Sequence, residues 1–196
     1  MLSLRLTAAA VGGAALALVA QRVLSRLLRP LLLPKAVELA GCGSVSVMTR
    51  VQSGGNLLVS LDWDKVFGIL PFKIPFCSAT ITEDGTIYVS GSIGLIPPKD
   101  DSSPPSIVDG GPKAEMVRTM EIVEAILKAC GAGVENITMV HCYLVDNTKE
   151  RFAEMNSGYL EFMADRPLPA RITVGCSALA LGSVVEVDVI AKKSWP

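Results

Sequence analysis

Two residues in the C-terminal third are of types suited to handling a small carboxylate. Arg171 follows the corner Pro167-Leu168-Pro169-Ala170 and opens an extended stretch, so its guanidinium belongs at a strand end near a loop mouth. A guanidinium grips a carboxylate through two parallel hydrogen bonds; the alternative use is an ordinary surface ion pair. Glu186 lies inside Val184-Val185-Glu186-Val187-Asp188-Val189. Strand alternation puts Val184, Glu186, Asp188 and Ile190 on one face and the remaining valines on the other. An acid amid so much aliphatic chain either faces solvent or serves a site, where desolvation raises its pKa into the range useful for proton transfer. Ser90 and Ser92 flank Gly91 in Tyr88-Val89-Ser90-Gly91-Ser92-Ile93. The glycine permits close backbone approach, and the hydroxyls either meet a ligand or simply pack.

Other chemistries are excluded. His141 is the only histidine and its neighbour is Cys142. Inside one strand the two point to opposite faces, so they form no nucleophile–base pair, and His141 reads as a satisfied core or interface residue. The five cysteines, Cys42, Cys77, Cys130, Cys142 and Cys176, are odd in number and contain no C-x-x-C spacing. That argues against a disulfide framework and a structural zinc, and for a reducing compartment. No P-loop, dinucleotide fingerprint, G-x-S-x-G or H-E-x-x-H occurs.

The elements that carry these residues follow from periodicity. Ser44 to Val51 and Leu57 to Leu61 read as strands with a turn at Gly54-Gly55. Ala79 to Thr82 and Thr86 to Ser92 form a hairpin through the Asp-Gly signal of Glu83-Asp84-Gly85. A polar loop runs from Pro97 to Gly111. A helix spans Lys113 to Cys130, started by Pro112, stopped by Gly131, and apolar at Met116, Val117, Met120, Val123, Ile126 and Leu127. Ile137 to Val145 is a strand. Asn147 and Glu150 suggest a capping box for a helix whose apolar face is Phe152, Met155, Tyr159 and Phe162. Arg171 to Cys176 and Ser183 to Ala191 are the last strands. The expectation is an α+β domain: a mixed sheet with two helices packed on one face. The other sheet face needs cover, which an oligomer would supply.

The 196 residues have a mean hydropathy of +0.45, half are apolar, and 19% are charged, which excludes a disordered chain. Residues 1–36 hold Arg5, Arg22, Arg26, Arg29 and Lys35 and no acid, leaving 13 of the 18 basic side chains against all 19 acidic ones, a net of −6, in residues 37–196. Such a domain has no electrostatic footprint for nucleic acid. The uncharged run Leu6 to Ala20 has 15 residues, short of the ~20 that a spanning helix needs. Arg22, Arg26 and Arg29 share a helical face opposite Val23, Leu24, Leu27 and Leu28, and Pro30 breaks the pattern. An Arg-rich, acid-free, amphipathic start reads as a mitochondrial (or plastid) presequence; the alternatives are a retained anchor touching a membrane through residues 6–34, a secretory signal, or a cytoplasmic protein. The organisation expected is a targeting or anchor segment, 1–36, a lead-in, 37–74, and a main domain, 75–196.

Pro75-Phe76-Cys77-Ser78-Ala79, Tyr88 to Gly94, Pro169-Ala170-Arg171 and Glu186-Val187-Asp188-Val189-Ile190-Ala191 together resemble the Rid (YjgF-like) family of imine deaminases, from about Pro75 to Lys193. The resemblance implies a Rid/chorismate-mutase-like fold, a homotrimer with a barrel-like centre, and sites in the clefts between subunits. It implies hydrolysis of 2-imino and enamine acids, such as 2-iminobutanoate and 2-iminopropanoate, to 2-oxo acids and ammonia, with no metal or organic cofactor. By position, Arg171 would clamp the carboxylate and Glu186 would orient water or relay a proton, the two meeting across a subunit boundary. Ser90 and Gly91 would line the pocket. Three positions depart from the common pattern: Phe76 replaces Tyr, Thr173 replaces Cys, and Ser92 replaces Gln. These residues belong to the expected substrate-binding set. Cys176 has the wrong strand parity to substitute for the missing cysteine. Two other readings stand beside the deaminase: a small-carboxylate binding or regulatory module, and RNA cleavage or translation inhibition, against which the net charge argues.

Overall fold

The computed structural model describes residues 17–21, 23–24, 27–52, 54–68, 74–100 and 103–193. The chain divides into two units, Met1–Leu33 and Pro34–Pro196. In the first, residues 17–21, 23–24 and 27–28 are helical and lead into a 3-10 turn, Arg29–Leu32, with Pro30 near its start. Arg22 and Arg26 of the basic face, Arg5, and most of the Leu6 to Ala20 run lie outside the described residues. Among the described residues no helix is long and apolar enough to cross a membrane.

The second unit is an α+β fold built on a mixed eight-stranded sheet. Its strands are β1 (Ala36–Leu39), β2 (Gly43–Val51), β3 (Leu57–Leu61), β4 (Ala79–Ile81), β5 (Thr86–Ile93), β8 (Ile137–Val145), β9 (Ala170–Cys176) and β10 (Val185–Lys192), in the order β1-β2-β3-β4-β5-β10-β8-β9. All neighbours are antiparallel except β8 and β9. Strands β1 to β3, from the predicted lead-in, extend the sheet beyond the β4–β5 hairpin. A short pair, β6 (Leu95–Ile96) and β7 (Ser106–Ile107), interrupts the expected polar loop. The hairpin turn needs a left-handed residue, and Gly85 supplies it at φ +83°. Asp84 accepts from Thr82, Thr86 and Lys192, and those bonds hold its carboxyl well below the usual carboxylate range.

Helix α1 is the short Trp63–Phe67 turn, α2 is Gly111–Ala129, and α3 is Lys149–Met163. Pro112 sits in the first turn of α2 and Gly131 turns the chain away at φ +68°. Met116, Met120, Val123 and Leu127 are fully buried, facing a sheet surface formed by Ile87 and Val89 of β5 and Val185, Val187, Val189 and Ala191 of β10. Two expectations for α3 are corrected. Its N-cap is Thr148, whose hydroxyl accepts from the Arg151 amide at 3.3 Å, and not Asn147 with Glu150. Asp146 at φ +49° turns the chain one residue later than the spacing suggests. The buried face is Met155, Tyr159 and Met163, at strict four-residue intervals, while Phe152 is exposed and Phe162 only partly covered. Gly158 lies on that face because α2 crosses there: an added Cβ would come within 3.1 Å of the Lys113 carbonyl carbon.

Two buried charged groups tie the layers together. Arg118 of α2 donates to the carbonyls of Leu95 (2.8 Å) and Ala40 (2.6 Å), to Glu121 (2.9 Å) and to Cys42 Sγ (3.0 Å), fixing the β1–β2 turn. Glu115 receives the Ser183 hydroxyl at 2.8 Å and the amides of Val184 and Val185 at 2.7 and 3.0 Å. That carboxylate sets where β10 begins. Among the described residues of this unit no helix covers the opposite sheet face, which exposes Met48, Tyr88, Ile172 and Val174.

Candidate functional site

The pairing of β5 with β10 is regular except at one place. Val187 faces Ser92 and Val189 faces Val89, so Asp188 alone opposes both Ser90 and Gly91. This two-against-one count is a β-bulge, a device that re-aims side chains beside functional sites. Ile87, Val89 and, past the bulge, Ser92 are buried, whereas Gly91 is exposed and lies under the Glu186 carboxyl. A Cβ at Gly91 would collide with Glu186 Oε1 and stand 3.1 Å from Cδ. The glycine is therefore what leaves the Glu186 carboxyl in this position, through close approach rather than backbone strain.

Glu186 emerges on the open face, as alternation requires, and borders a cavity of about 280 Å³. Phe76, Ser90, Gly91 and Ser92 line the same cavity, so five of the seven expected site residues come together. Ser90 donates its hydroxyl to the Cys77 carbonyl at 2.8 Å, and Ser92 donates to the Ser90 carbonyl at 3.2 Å. Both hydroxyls therefore offer a ligand lone pairs rather than protons. Phe76 stands at the mouth with more than half its surface open. Glu186 is the one ionisable residue among the described lining residues. Its pKa is raised above the usual carboxylate value, first by desolvation and then by the Asp188 charge beside it. Asp188 is itself held by His141 Nδ1 at 2.6 Å and by the Tyr143 hydroxyl at 3.1 Å. His141 is thus partnered on the open face and Cys142 is buried on the other, where burial raises its thiol to about 11.

Arg171 and Thr173 lie elsewhere. Arg171 pairs in register with Val140, which in turn faces Val189, so it belongs to the helix-covered side of the sheet. Strand β8 separates β9 from β10, roughly 10 Å between strand axes. Within one chain Arg171 and Glu186 therefore point from opposite faces and do not share a cleft. The Arg171 guanidinium lies over the Tyr159 ring, 4.6 Å from its centre, and donates to Asn156 Oδ1. The Tyr159 hydroxyl is buried without a hydrogen-bond partner beside the Arg171 cation, while the Thr173 hydroxyl interacts with the Cys142 thiol. Asn156 is absent from the sequence reading and Tyr159 enters it only as part of the helix's apolar face; their i, i+3 spacing on α3, pointing toward β9, is the signal that could have found them. Among the described residues no cluster of three or more potential metal ligands exists.

The model of the family described as Endoribonuclease L-PSP matches residues 73–193. A RutC family protein from Aquifex aeolicus is 33% identical over 124 residues, 63% of this chain and 93% of that protein. The 2-iminobutanoate/2-iminopropanoate deaminase of Rattus norvegicus is 33% identical over 121 residues, 62% of this chain and 82% of that protein. The crystal structure of RidA from the Antarctic bacterium Psychrobacter sp. PAMC 21119 superposes with a TM-score of 0.52 at 26% identity, covering 63% of this chain and 94% of that one.

Proposed function

This chain belongs to the Rid (YjgF-like) family, and from that premise we propose that it hydrolyses reactive 2-imino acids derived from amino acids to 2-oxo acids and ammonia. The observation that carries the proposal is the desolvated Glu186 carboxyl held over Gly91 at the edge of a small cavity. A related rat protein of this family carries the name of this activity. In the reaction, water adds through oxygen to the imine carbon. Glu186 takes one proton of the water and delivers it to the nitrogen, giving the carbinolamine; the proton of the new hydroxyl then passes to the same nitrogen, the carbon–nitrogen bond breaks, and ammonia leaves as the carbonyl forms. An enamine enters the same path once it tautomerises to the imine. Imine hydrolysis is already facile, so positioning supplies most of what catalysis needs.

Positioning requires a cation for the substrate carboxylate, and Arg171 is assigned that role. Since one chain keeps Arg171 and Glu186 on opposite faces, the complete site needs Arg171, Asn156, Tyr159 and Thr173 of one copy against the Glu186 cavity of another. A homotrimer in which the β9 edge of one copy, with its Arg171, meets the Glu186 cavity of the next would supply this. RNA cleavage draws no support from residues 37–196, whose net charge is −6.

The deciding measurement is coupled ammonia or 2-oxo-acid release, with imine generated in place by an amino-acid oxidase. The full chain should accelerate release, and Arg171→Ala should abolish the acceleration. Equal traces with and without protein across several amino acids would leave only the binding module.

A further inference from the structure

The cavity beside Glu186 is larger and more apolar than a three- or four-carbon imino acid needs. Its volume is about 280 Å³, and an apolar cavity of ~150 Å³ already accommodates benzene. Away from Glu186 the walls are Trp63 and Phe67 of α1, Ile122 and Ile126 of α2, Ile93 at the end of β5, and Leu181. No wall residue in that group carries a charge. The polar lining consists of the Glu186 carboxyl, the Ser90–Ser92 segment and Ser78.

Trp63 is a built part of this wall. Its indole N–H donates to Ser78 Oγ at 3.1 Å, and the same oxygen receives the Leu61 amide at 3.1 Å. Ser78 is buried. The Trp63 ring stacks on Phe67 with centres 5.5 Å apart and an interplanar angle of 27°. Both aromatic residues precede residue 73, where the match to the family begins. The wall is therefore supplied by a part of the chain outside the matched segment.

We propose that the substrate is an imino acid with a bulky apolar side chain, of leucine to phenylalanine size, and that Trp63 and Phe67 determine this preference by contacting that side chain. The assignment rests on the deaminase reading above. A side chain of that size would lie against the aromatic wall while its imino carbon remains at Glu186. A methyl side chain would leave the far end of the cavity unfilled, losing its contacts there.

The test uses the full chain and D-amino-acid oxidase to generate the imines of alanine, leucine and phenylalanine. The expected result is kcat/KM at least ~10-fold higher for the leucine and phenylalanine imines than for the alanine imine, since each added methylene in an apolar pocket is worth roughly 10-fold or more. Trp63→Ala should cut that ratio several-fold by removing the contact. Leu181→Phe, at an exposed wall position, should cut the phenylalanine-to-alanine ratio by narrowing the cavity, and it covers the case in which Trp63→Ala fails to fold. Hydrolysis of all three imines at equal kcat/KM, or ratios unmoved by both variants, overturns the preference and leaves the deaminase standing. No acceleration of any imine overturns the deaminase reading and this assignment with it.

Discussion

The carboxyl of Glu186 occupies the space that a side chain at residue 91 would need. Only glycine leaves Glu186 Oε1 where it is, since a Cβ would collide with that oxygen and approach Cδ to 3.1 Å. The backbone of Gly91 is not in the left-handed region, so alanine is conformationally acceptable there. Gly91→Ala should therefore fold with nearly unchanged thermal stability while displacing the Glu186 carboxyl. A misplacement of about 1 Å costs on the order of 100-fold in rate. The expected outcome is a 10- to 100-fold loss of kcat, roughly, with a Tm close to wild type. A fully active Gly91→Ala protein would show that the position of this carboxyl is immaterial.

A site split between two copies makes a prediction that no single-chain site makes. Arg171→Ala and Glu186→Gln should each be inactive alone. Mixed after unfolding and refolded together, they should form sites that take an intact Glu186 cavity from one copy and an intact Arg171 from the next. Random assembly gives about a quarter of wild-type activity. Activity that stays at the level of the separate variants would place both residues in one chain's site, or outside the site altogether.

Several of these relationships were legible before any fold was seen. Ile137 to Val145 and Leu57 to Leu61 emerge with the same ends in sequence and structure, because long alternating apolar runs specify both the element and its buried face. The Asp84-Gly85 turn is equally local. Parity along β10 correctly sets Glu186 apart from Val185 and Val187. What alternation cannot supply is the relation between strands. Whether Arg171 shares a face with Glu186 depends on the registers Val140–Val189 and Val140–Arg171, which are tertiary facts. The bulge at Ser90 and Gly91 exists only against β10. The apolar face expected of the long helix leaves out Glu115 and Arg118, yet both are buried, since strand starts and turns bring backbone donors and acceptors to them. Thr148 displaced Asn147 as the helix cap for a reason equally hidden from spacing, the positive φ of Asp146.

The raised pKa of Glu186 fixes the direction of two pH effects. As a proton acceptor the residue works ionised, so kcat/KM should fall with decreasing pH along a limb centred above 4.5, the ordinary value for a glutamic acid. Asp188 is the second cause of the rise, after desolvation, so Asp188→Asn should move the limb downward without bringing it all the way to 4.5. Stability runs the other way. The folded state holds the Glu186 proton more tightly than the unfolded state does. The contribution is therefore fully present below the unfolded pKa and lost as pH rises through the folded one. Glu186→Gln should thus be at least as stable as wild type at pH 7, although inactive. A pH–rate profile with its acidic limb at or below 4.5 would remove Glu186 from the proton-transfer role.

Glu115 lies outside the cavity yet holds the segment that delivers Glu186. Its Oε2 receives the amides of Val184 and Val185 and the hydroxyl of Ser183, the three residues directly before Glu186. Glu115→Ala would strand the two amides, since the Ser183 hydroxyl also reaches the Val185 carbonyl at 2.7 Å. A buried donor left unsatisfied costs about 1–3 kcal/mol, so a loss of about 3 kcal/mol or more in urea unfolding is expected. Glu115→Gln keeps an acceptor oxygen at the same reach and should recover most of that loss. The two variants also separate positioning from stability. At a temperature where both remain folded, Glu115→Ala should lower kcat far more than it raises KM, because it loosens Glu186 and leaves the Arg171 half-site untouched. Glu115→Gln should restore much of kcat. Equal stabilities for the two variants, or a loss confined to KM, would show that β10 is placed by its strand neighbours alone.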